Sequence, residues 1–283
     1  MPELPEVEVV RRGLAPAVSG RRVEHVAVLH PRPVRRHGLG ADAFAAALTG
    51  RTLGVPRRRG KFLWVPLDDG EALVAHLGMS GQFRLDAPDA PLQRHARLLI
   101  DLDDGVQLRF VDQRMFGGLA LVPDGDPPAA LAHVAPDLFD PALDLDALSA
   151  RAAASARAIK RVLLDQGVVS GIGNIYADEA LWAARVNHGT PASELGADGV
   201  RRVLVAARDV MAAALAVGGT SFDALYVNVN GESGYFDRTL EAYGRTDHPC
   251  RRCGTPIVRE AFMNRGSFFC PSCQPPAATI GHS

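Results

Sequence analysis

Pro2-Glu3-Leu4-Pro5-Glu6-Val7-Glu8 sets two prolines, three carboxylates and two apolar residues at the head of the chain. Proline is favoured at the first position of a helix, so a helix beginning at Pro5 is predicted, with Glu3 and Glu6 one turn apart on a common face. The plain reading is an acidic, solvated leader, as chain ends usually are. A chemical reading stands beside it. Removal of Met1, which a small second residue permits, leaves Pro2 with a free secondary amine. An α-amino group titrates near ~8, against ~10.4 for a lysine, so more of it is the neutral nucleophile at neutral pH. Amines attack electrophilic carbon to give Schiff bases. A secondary amine gives an iminium, which keeps its charge and serves as an electron sink, and a carboxyl one residue away can move protons.

The 283 residues, 47% of them hydrophobic, are enough for two domains, each with its own core. No apolar run approaches the ~18 residues of a membrane span, and the acidic start has the wrong sign for a secretory leader, so a cytoplasmic protein with no membrane association is expected. A net charge of −1 does not announce a polyanion binder, so any such surface must come from local clustering. All four cysteines fall within the last thirty-four residues, unlike the spread framework of a secreted protein.

Past the opening helix, expected over Val7 to Leu14 with Gly13 near its end, the first half reads as β. Alternation begins at Val23, Val26 and Val28. Pro56-Arg57-Arg58-Arg59-Gly60-Lys61 looks like a basic turn feeding a buried strand, Phe62-Leu63-Trp64-Val65, with Lys61 held at the strand edge. A strand from Ala72 to Leu77 ends in Gly78-Met79-Ser80-Gly81, a tight turn that puts an apolar side chain at its tip. Strands Leu98 to Leu102 and Val106 to Phe110 flank the hairpin signal Asp103-Asp104-Gly105. Asp112-Gln113-Arg114-Met115-Phe116-Gly117-Gly118 then offers a second turn with an arginine and an aromatic.

A stretch rich in Pro, Asp and Ala marks the linker, placed at 136–147. Helical spacing follows, with helices expected over Ala156 to Leu164 and Asn174 to Ala184, and a long one capped by Ala197-Asp198 and ending at Gly218-Gly219. The glycine-rich Gly167 to Asn174 puts free N–H groups ahead of a helix, a ready anion site, or else forms an ordinary packing corner. Thr220 to Tyr235 is polar and patternless, a long loop of the functional or disordered kind.

Cys250-x-x-Cys253 and Cys270-x-x-Cys273, sixteen residues apart, have the spacing of a four-cysteine zinc ribbon. Four thiolates fill the shell of one Zn2+ and leave no open position, so the ion is structural. Redox CxxC pairs are the competing reading. Strands Ile257 to Arg259 and Ser267 to Phe269 would pair with Asn264-Arg265-Gly266 at the tip. Arg245, Arg251, Arg252 and Arg259 nearby suit a phosphate-binding finger.

The opening PELPEVE, the RGK before a strand, HLGMSG, the D-x-R-x-FGG turn, GIGNIYADE and the paired CxxC motifs, six in order from Pro2 to Gln274, together resemble the formamidopyrimidine-DNA glycosylase family. The resemblance implies an α+β, two-domain fold: an N-terminal β-sandwich with flanking helices over 1–135, a helical helix-two-turns-helix domain over 148–235, a zinc finger over 236–274 and a disordered tail over 275–283. It also implies a bifunctional enzyme of base-excision repair, acting as a monomer on damaged double-stranded DNA in the bacterial cytoplasm at the nucleoid. Such an enzyme removes 8-oxoguanine and formamidopyrimidines, then cleaves the abasic strand. By the same resemblance Pro2 is the Schiff-base nucleophile, Glu3 the proton donor, Lys61 the residue of β-elimination and Arg265 that of δ-elimination, with Glu6 beside them. Met79, Arg114 and Phe116 fill the gap left by an extruded base. Asn174 and Arg265 contact phosphates around the lesion, His95 is a further DNA-binding histidine, Lys160 is grouped with the DNA contacts, and the loop from Thr220 closes over the flipped base. One departure stands out: Met115 occupies the second arginine of the family's usual DPRRFG. Two alternatives are weighed: an endonuclease VIII-type enzyme for oxidised pyrimidines, which Leu4 and the long loop argue against, and a damage-binding protein that does not cut, which Pro2, Glu3 and Lys61 together argue against.

Overall fold

The computed structural model describes residues 2–219, Val229 and 239–276. The chain divides into two compact units: Met1–His133 with Val217–Tyr235, and Val134–Ala216 with Phe236–Ser283. The first boundary falls just ahead of the expected linker, and the segment from Val217 groups with the first unit rather than with the helices before it. The loop expected from Thr220, Val229 apart, and the tail from residue 277 onward lie outside the described residues.

The first unit opens with helix α1, Leu4–Val18, which starts one residue before the predicted Pro5 and runs well past Leu14. Gly13 does not end it. A Cβ there would lie 2.3 Å from Val229 Cγ2, so the glycine admits a close-packed neighbour instead of stopping the helix. Strand β1, Val23–Val28, is followed by helix α2, Ala41–Leu48, for which the sequence pattern gives no signal. Strands β2 (Arg57–Arg59), β3 (Phe62–Pro66), β4 (Glu71–His76), β5 (Gly81–Asp86), β6 (Ala96–Leu102), β7 (Gln107–Asp112) and β8 (Gly118–Pro123) complete two antiparallel sheets, ordered β1-β6-β7-β5 and β2-β3-β4-β8. Leu98, Ile100 and Phe110 of one sheet and Leu63, Leu73 and Leu119 of the other share a single core with Val7, Val10 and Leu14 of α1, which is the expected sandwich flanked by helix.

In the second unit, α3 (Leu145–Ala153), α4 (Ile159–Leu164), α5 (Asn174–Ala184) and α6 (Ala192–Ala216) form the helical part. The start of α5 matches the prediction. Within α6 two helical pieces meet at a kink at Gly196 (φ 63°, ψ 177°), and the long piece that follows it starts at the expected Ala197-Asp198 cap. Strands β9 (Val258–Phe262) and β10 (Arg265–Phe269) make the antiparallel finger hairpin. Its turn is Met263-Asn264, so Arg265 is the first residue of a strand, paired with Phe262, and not the tip itself. No helix among the described residues is long and apolar enough to cross a membrane.

Candidate active site and nucleic-acid interface

In the first unit, Glu3 is the N-cap of α1 and forms a capping box with Glu6. The Glu3 N–H donates to Glu6 Oε2 at 2.8 Å, so the two carboxylates are held at the helix start, immediately after Pro2. Pro2, Glu3 and Glu6 are all buried. Glu6 also abuts the root of the segment that follows α6: a Cβ on Gly219 (φ 84°) would lie 3.1 Å from Glu6 Oε1. One turn further along α1, the buried Glu8 carboxylate receives Arg11 through Nε and Nη2 at 2.9 and 2.7 Å, Arg12 Nε at 2.8 Å and Arg58 Nε at 3.1 Å. Burial alone would raise the Glu8 pKa, but the Arg11 and Arg12 hydrogen bonds and the Arg11 and Arg58 charges outweigh it and hold the group at about 2.

Arg58 Nη1 in turn donates to the Gly60 carbonyl at 3.0 Å, inside the two-residue turn that carries Lys61. Gly60 has φ 55°, the sign a two-residue hairpin turn with glycine first requires. Lys61 is 8% exposed. Across the sheet Phe62 pairs with His76, which enters the sequence motifs only as the first residue of HLGMSG. Burial pushes the His76 imidazole down to about 4, and the Lys61, Arg36 and Arg35 charges add to that, so His76 is neutral at pH 7. Its Nδ1 accepts the Gly78 N–H at 3.1 Å.

The two exposed turns are locked together by Asp112, which has no solvent exposure. It accepts the Ser80 hydroxyl at 2.6 Å and the Gly117 N–H at 2.8 Å, and Ser80 Oγ accepts the Arg114 N–H at 2.9 Å. Gly78 (φ 63°) lies so close that a Cβ would meet the Phe116 carbonyl carbon at 2.5 Å. Met79 and Phe116 are left 41% and 53% exposed, with Arg114 Nη1 3.5 Å from Met79 Sδ. Three chemically distinct side chains thus project from one braced edge. His95 lies beside the same brace: its carbonyl accepts the Asp112 N–H at 2.9 Å, and its Nδ1 is 3.3 Å from Arg97 Nη2.

In the second unit, Asn174 opens α5 and donates through Nδ2 to the Gly266 carbonyl at 3.0 Å. Arg265, just before it, is exposed. Lys160 overturns its sequence assignment. Its side chain has no solvent exposure, and its ammonium is 2.6 Å from Asp178 Oδ1 and 3.2 Å from the Gly266 carbonyl, so it has no surface to offer a phosphate. Asp178 also accepts the Ser267 hydroxyl at 3.1 Å and the Phe268 N–H at 3.0 Å. Burial raises its pKa to about 6 against the pull of Lys160, which leaves it ionised at pH 7. Neighbouring Glu179 accepts the N–H groups of Glu241, Ala242 and Tyr243 at 2.8 to 2.9 Å, fixing the approach to the finger.

The sulfur atoms of Cys250, Cys253, Cys270 and Cys273 all lie within 4.8 Å of one another. Tetrahedral Zn–S bonds of about 2.3 Å demand sulfurs about 3.8 Å apart. The four thiols gather around that spacing, with Cys253 Sγ 3.5 Å from both Cys270 Sγ and Cys273 Sγ, and the Trp182 indole N–H points at Cys250 Sγ at 3.4 Å.

Three family descriptions match the chain: formamidopyrimidine-DNA glycosylase N-terminal domain over residues 1–119, formamidopyrimidine-DNA glycosylase H2TH domain over 134–225, and the zinc finger found in FPG and IleRS over 247–276. A curated formamidopyrimidine-DNA glycosylase from a Nocardioides species is 60% identical, covering 97% of this chain and 95% of its own. The one from Nocardia farcinica is 57% identical, covering 97% and 98%. Among solved structures, a Lactococcus lactis Fpg variant in complex with Fapy-dG-containing DNA aligns with TM-score 0.87 at 31% identity, covering 97% of this chain and all of that one. MutM in complex with DNA containing carbocyclic 8-oxo-G aligns with TM-score 0.86 at 31% identity, with the same coverage.

Proposed function

Since the chain belongs to the formamidopyrimidine-DNA glycosylase family, a zinc-finger family of DNA repair, we propose how its own residues carry that family's chemistry. The protein is a DNA glycosylase that removes oxidised purines from DNA, with the associated abasic-site lyase activity. Its four cysteines hold a structural zinc ion. The observation that carries the catalytic assignment is the capping box at the start of α1, which seats the Glu3 carboxyl directly beside Pro2 as acceptor of the Glu6 N–H, while the Glu6 carboxylate accepts the Glu3 N–H.

The neutral Pro2 nitrogen attacks C1′ of the damaged nucleoside once Met1 is gone. The C1′–N bond breaks with its electron pair leaving on the base, which takes up a proton, and Glu3 protonates the ring oxygen as the sugar opens. The resulting iminium withdraws electrons from C2′. Loss of a C2′ proton then expels the 3′ phosphate, with Lys61 assigned to that step and Arg265 to the elimination on the 5′ side. Met79, Arg114 and Phe116 occupy the place of the flipped base, since an apolar wedge lowers the cost of unstacking. Asn174 serves the backbone around the lesion, and His95 is a further DNA contact. The enzyme acts as a monomer in the bacterial cytoplasm, at the nucleoid.

Borohydride reduction of the iminium tests the nucleophile. Wild type is expected to cross-link to a duplex bearing 8-oxoguanine opposite cytosine, and intact mass to show a chain lacking Met1. A Pro2→Gly protein that cross-links as fast as wild type refutes the role given to Pro2.

A further inference from the structure

Immediately after β1 the chain turns through Pro31-Arg32-Pro33-Val34-Arg35-Arg36-His37, with a single 3-10 turn over Arg32–Val34. Pro33 and Val34 are buried and pin the turn to the core, while Arg32, Arg35 and Arg36 are all exposed. Two prolines fix their φ angles and remove backbone freedom before any ligand arrives. The guanidiniums are aimed by main-chain acceptors. Arg32 Nε donates to the Met115 carbonyl at 3.2 Å, and Arg35 Nη1 donates to the Gly117 and Arg32 carbonyls, each at 2.8 Å. Both outside acceptors belong to the turn that carries Arg114 and Phe116.

Charge density is what sets this corner apart, with three exposed guanidiniums inside five residues. Elsewhere in the first unit exposed Arg21 and Arg57 find Asp104 and Asp126, while exposed Arg22, Arg94 and Arg114 form no ion pair among the described residues. Among the described residues Arg32, Arg35 and Arg36 form no ion pair. The one carboxylate that bears on Arg35 is Asp112, already committed to Ser80 and Gly117. Burial and the charges of Arg32 and Arg36 pull the Arg35 pKa down, and the field reaches His76 as well. Like charges gathered on a stiff turn without counter-charge cost stability in the free protein. That cost is offset when an anion arrives. The turn also restores a cation where the family's usual second arginine is replaced, because Arg32 grips the carbonyl of Met115 itself.

We propose that the Arg32–Arg36 turn is a docking corner for the DNA phosphodiester backbone, set beside the Met79, Arg114 and Phe116 edge and contributing affinity without reading sequence. It rests on the function proposed above and adds to it a contact surface that the wedge, the finger and the glycine loop do not include.

Salt-dependent binding tests it on the full-length, zinc-loaded protein. Duplexes with and without a tetrahydrofuran abasic analogue are titrated by fluorescence anisotropy between low and moderate salt. Each phosphate contact removed lowers the slope of log affinity against log salt by about 0.9. Arg32→Gln and Arg36→Gln together are therefore expected to flatten the slope by about 1.8, and to weaken both duplexes by the same factor, because phosphate contacts are blind to the lesion. Arg36→Gln alone, which leaves the Arg32 and Arg35 hydrogen bonds of the turn in place, guards against misfolding and is expected to account for about half of the change. A double variant whose slope matches wild type overturns the proposal, as does a loss confined to the abasic duplex. Wild type that binds and is trapped by borohydride while the variants keep its slope sinks only this inference. Wild type that neither binds nor is trapped sinks the function with it.

Discussion

Replacing Glu8 by Gln removes one negative charge and almost no volume from a site where three guanidiniums converge. The carboxyl is held at about 2 against its ordinary 4.5. A tenfold change in proton affinity corresponds to about 1.4 kcal/mol, so the stabilisation of the ionised form is roughly 3 kcal/mol, and screening of the outer arginine brings the expected loss to about 1.5–3 kcal/mol. The Glu8 side chain is 11% exposed but that of Arg12 is 58% exposed, which is why the lower end of that range is admitted. The sign follows from the direction in which the pKa moves. A carboxyl depressed in the folded state contributes its full stability above the unfolded pKa and loses it as pH falls toward the folded value. Glu8 is therefore worth its full amount at pH 7, and roughly 40% of it at pH 3. Urea unfolding of wild type and Glu8→Gln at both pH values measures this, followed through a probe in the first unit such as Trp64. A difference below about 0.5 kcal/mol at pH 7, or one that stays the same at pH 3, refutes the account of the three arginines held by one charge.

Asp178→Asn leaves the Lys160 ammonium buried with no counter-charge, so a loss of about 3–5 kcal/mol is expected, read as a lowered melting temperature of the second unit. Gly78→Ala puts a Cβ 2.5 Å from the Phe116 carbonyl carbon at a positive φ. It is expected to cost about 1–3 kcal/mol, and to weaken binding to an abasic duplex more than to an undamaged one, because it spreads the two turns that carry the wedge. Cys270→Ser, or chelation, is expected to release the zinc ion, measured by metal analysis, and to expose the β9–β10 hairpin to proteolysis while the first unit melts as before.

Much of this arrangement was legible in the chain because it is local. A glycine between two strand patterns, a CxxC pair or a glycine ahead of a helix has its meaning within a few residues, and the hairpins, the cysteine cluster and the start of α5 follow from them. What was not legible depends on partners distant in sequence. Gly13 reads as a glycine near the end of a short helix until Val229 is found packed on it. Arg109, in the middle of an apolar strand, has no exposure at all: its guanidinium donates to the Ala87, Ala90 and Pro91 carbonyls and so holds the loop after β5. Helix α2 escaped notice because its alanine-rich run carries only Phe44 and Leu48 to the core, too few apolar positions to show a period. Met79, Phe116 and Arg114 could be named from their turns, but not the brace, since Asp112 reads as one more acidic turn residue until its two bonds are seen.

Lys160 shows most plainly why charge cannot be assigned from sequence in such a protein. A lysine on a short helix beside a glycine loop looks like a hand held out to phosphate. Its ion pair with Asp178 instead lies under the hairpin, and both Lys160 and Asn174 donate to the one carbonyl of Gly266. A carbonyl held by two donors fixes the Gly266–Ser267 peptide plane, one residue past Arg265, while Asp178 holds Ser267 and Phe268 next to it. A buried pair of this kind adds little net stability compared with an apolar replacement, so its value lies in setting one register. With Arg265 in the role proposed above, loss of Lys160 is expected to slow strand cleavage in a gel assay while DNA affinity by anisotropy stays unchanged, whereas loss of the 31–37 arginines is expected to lower affinity alone.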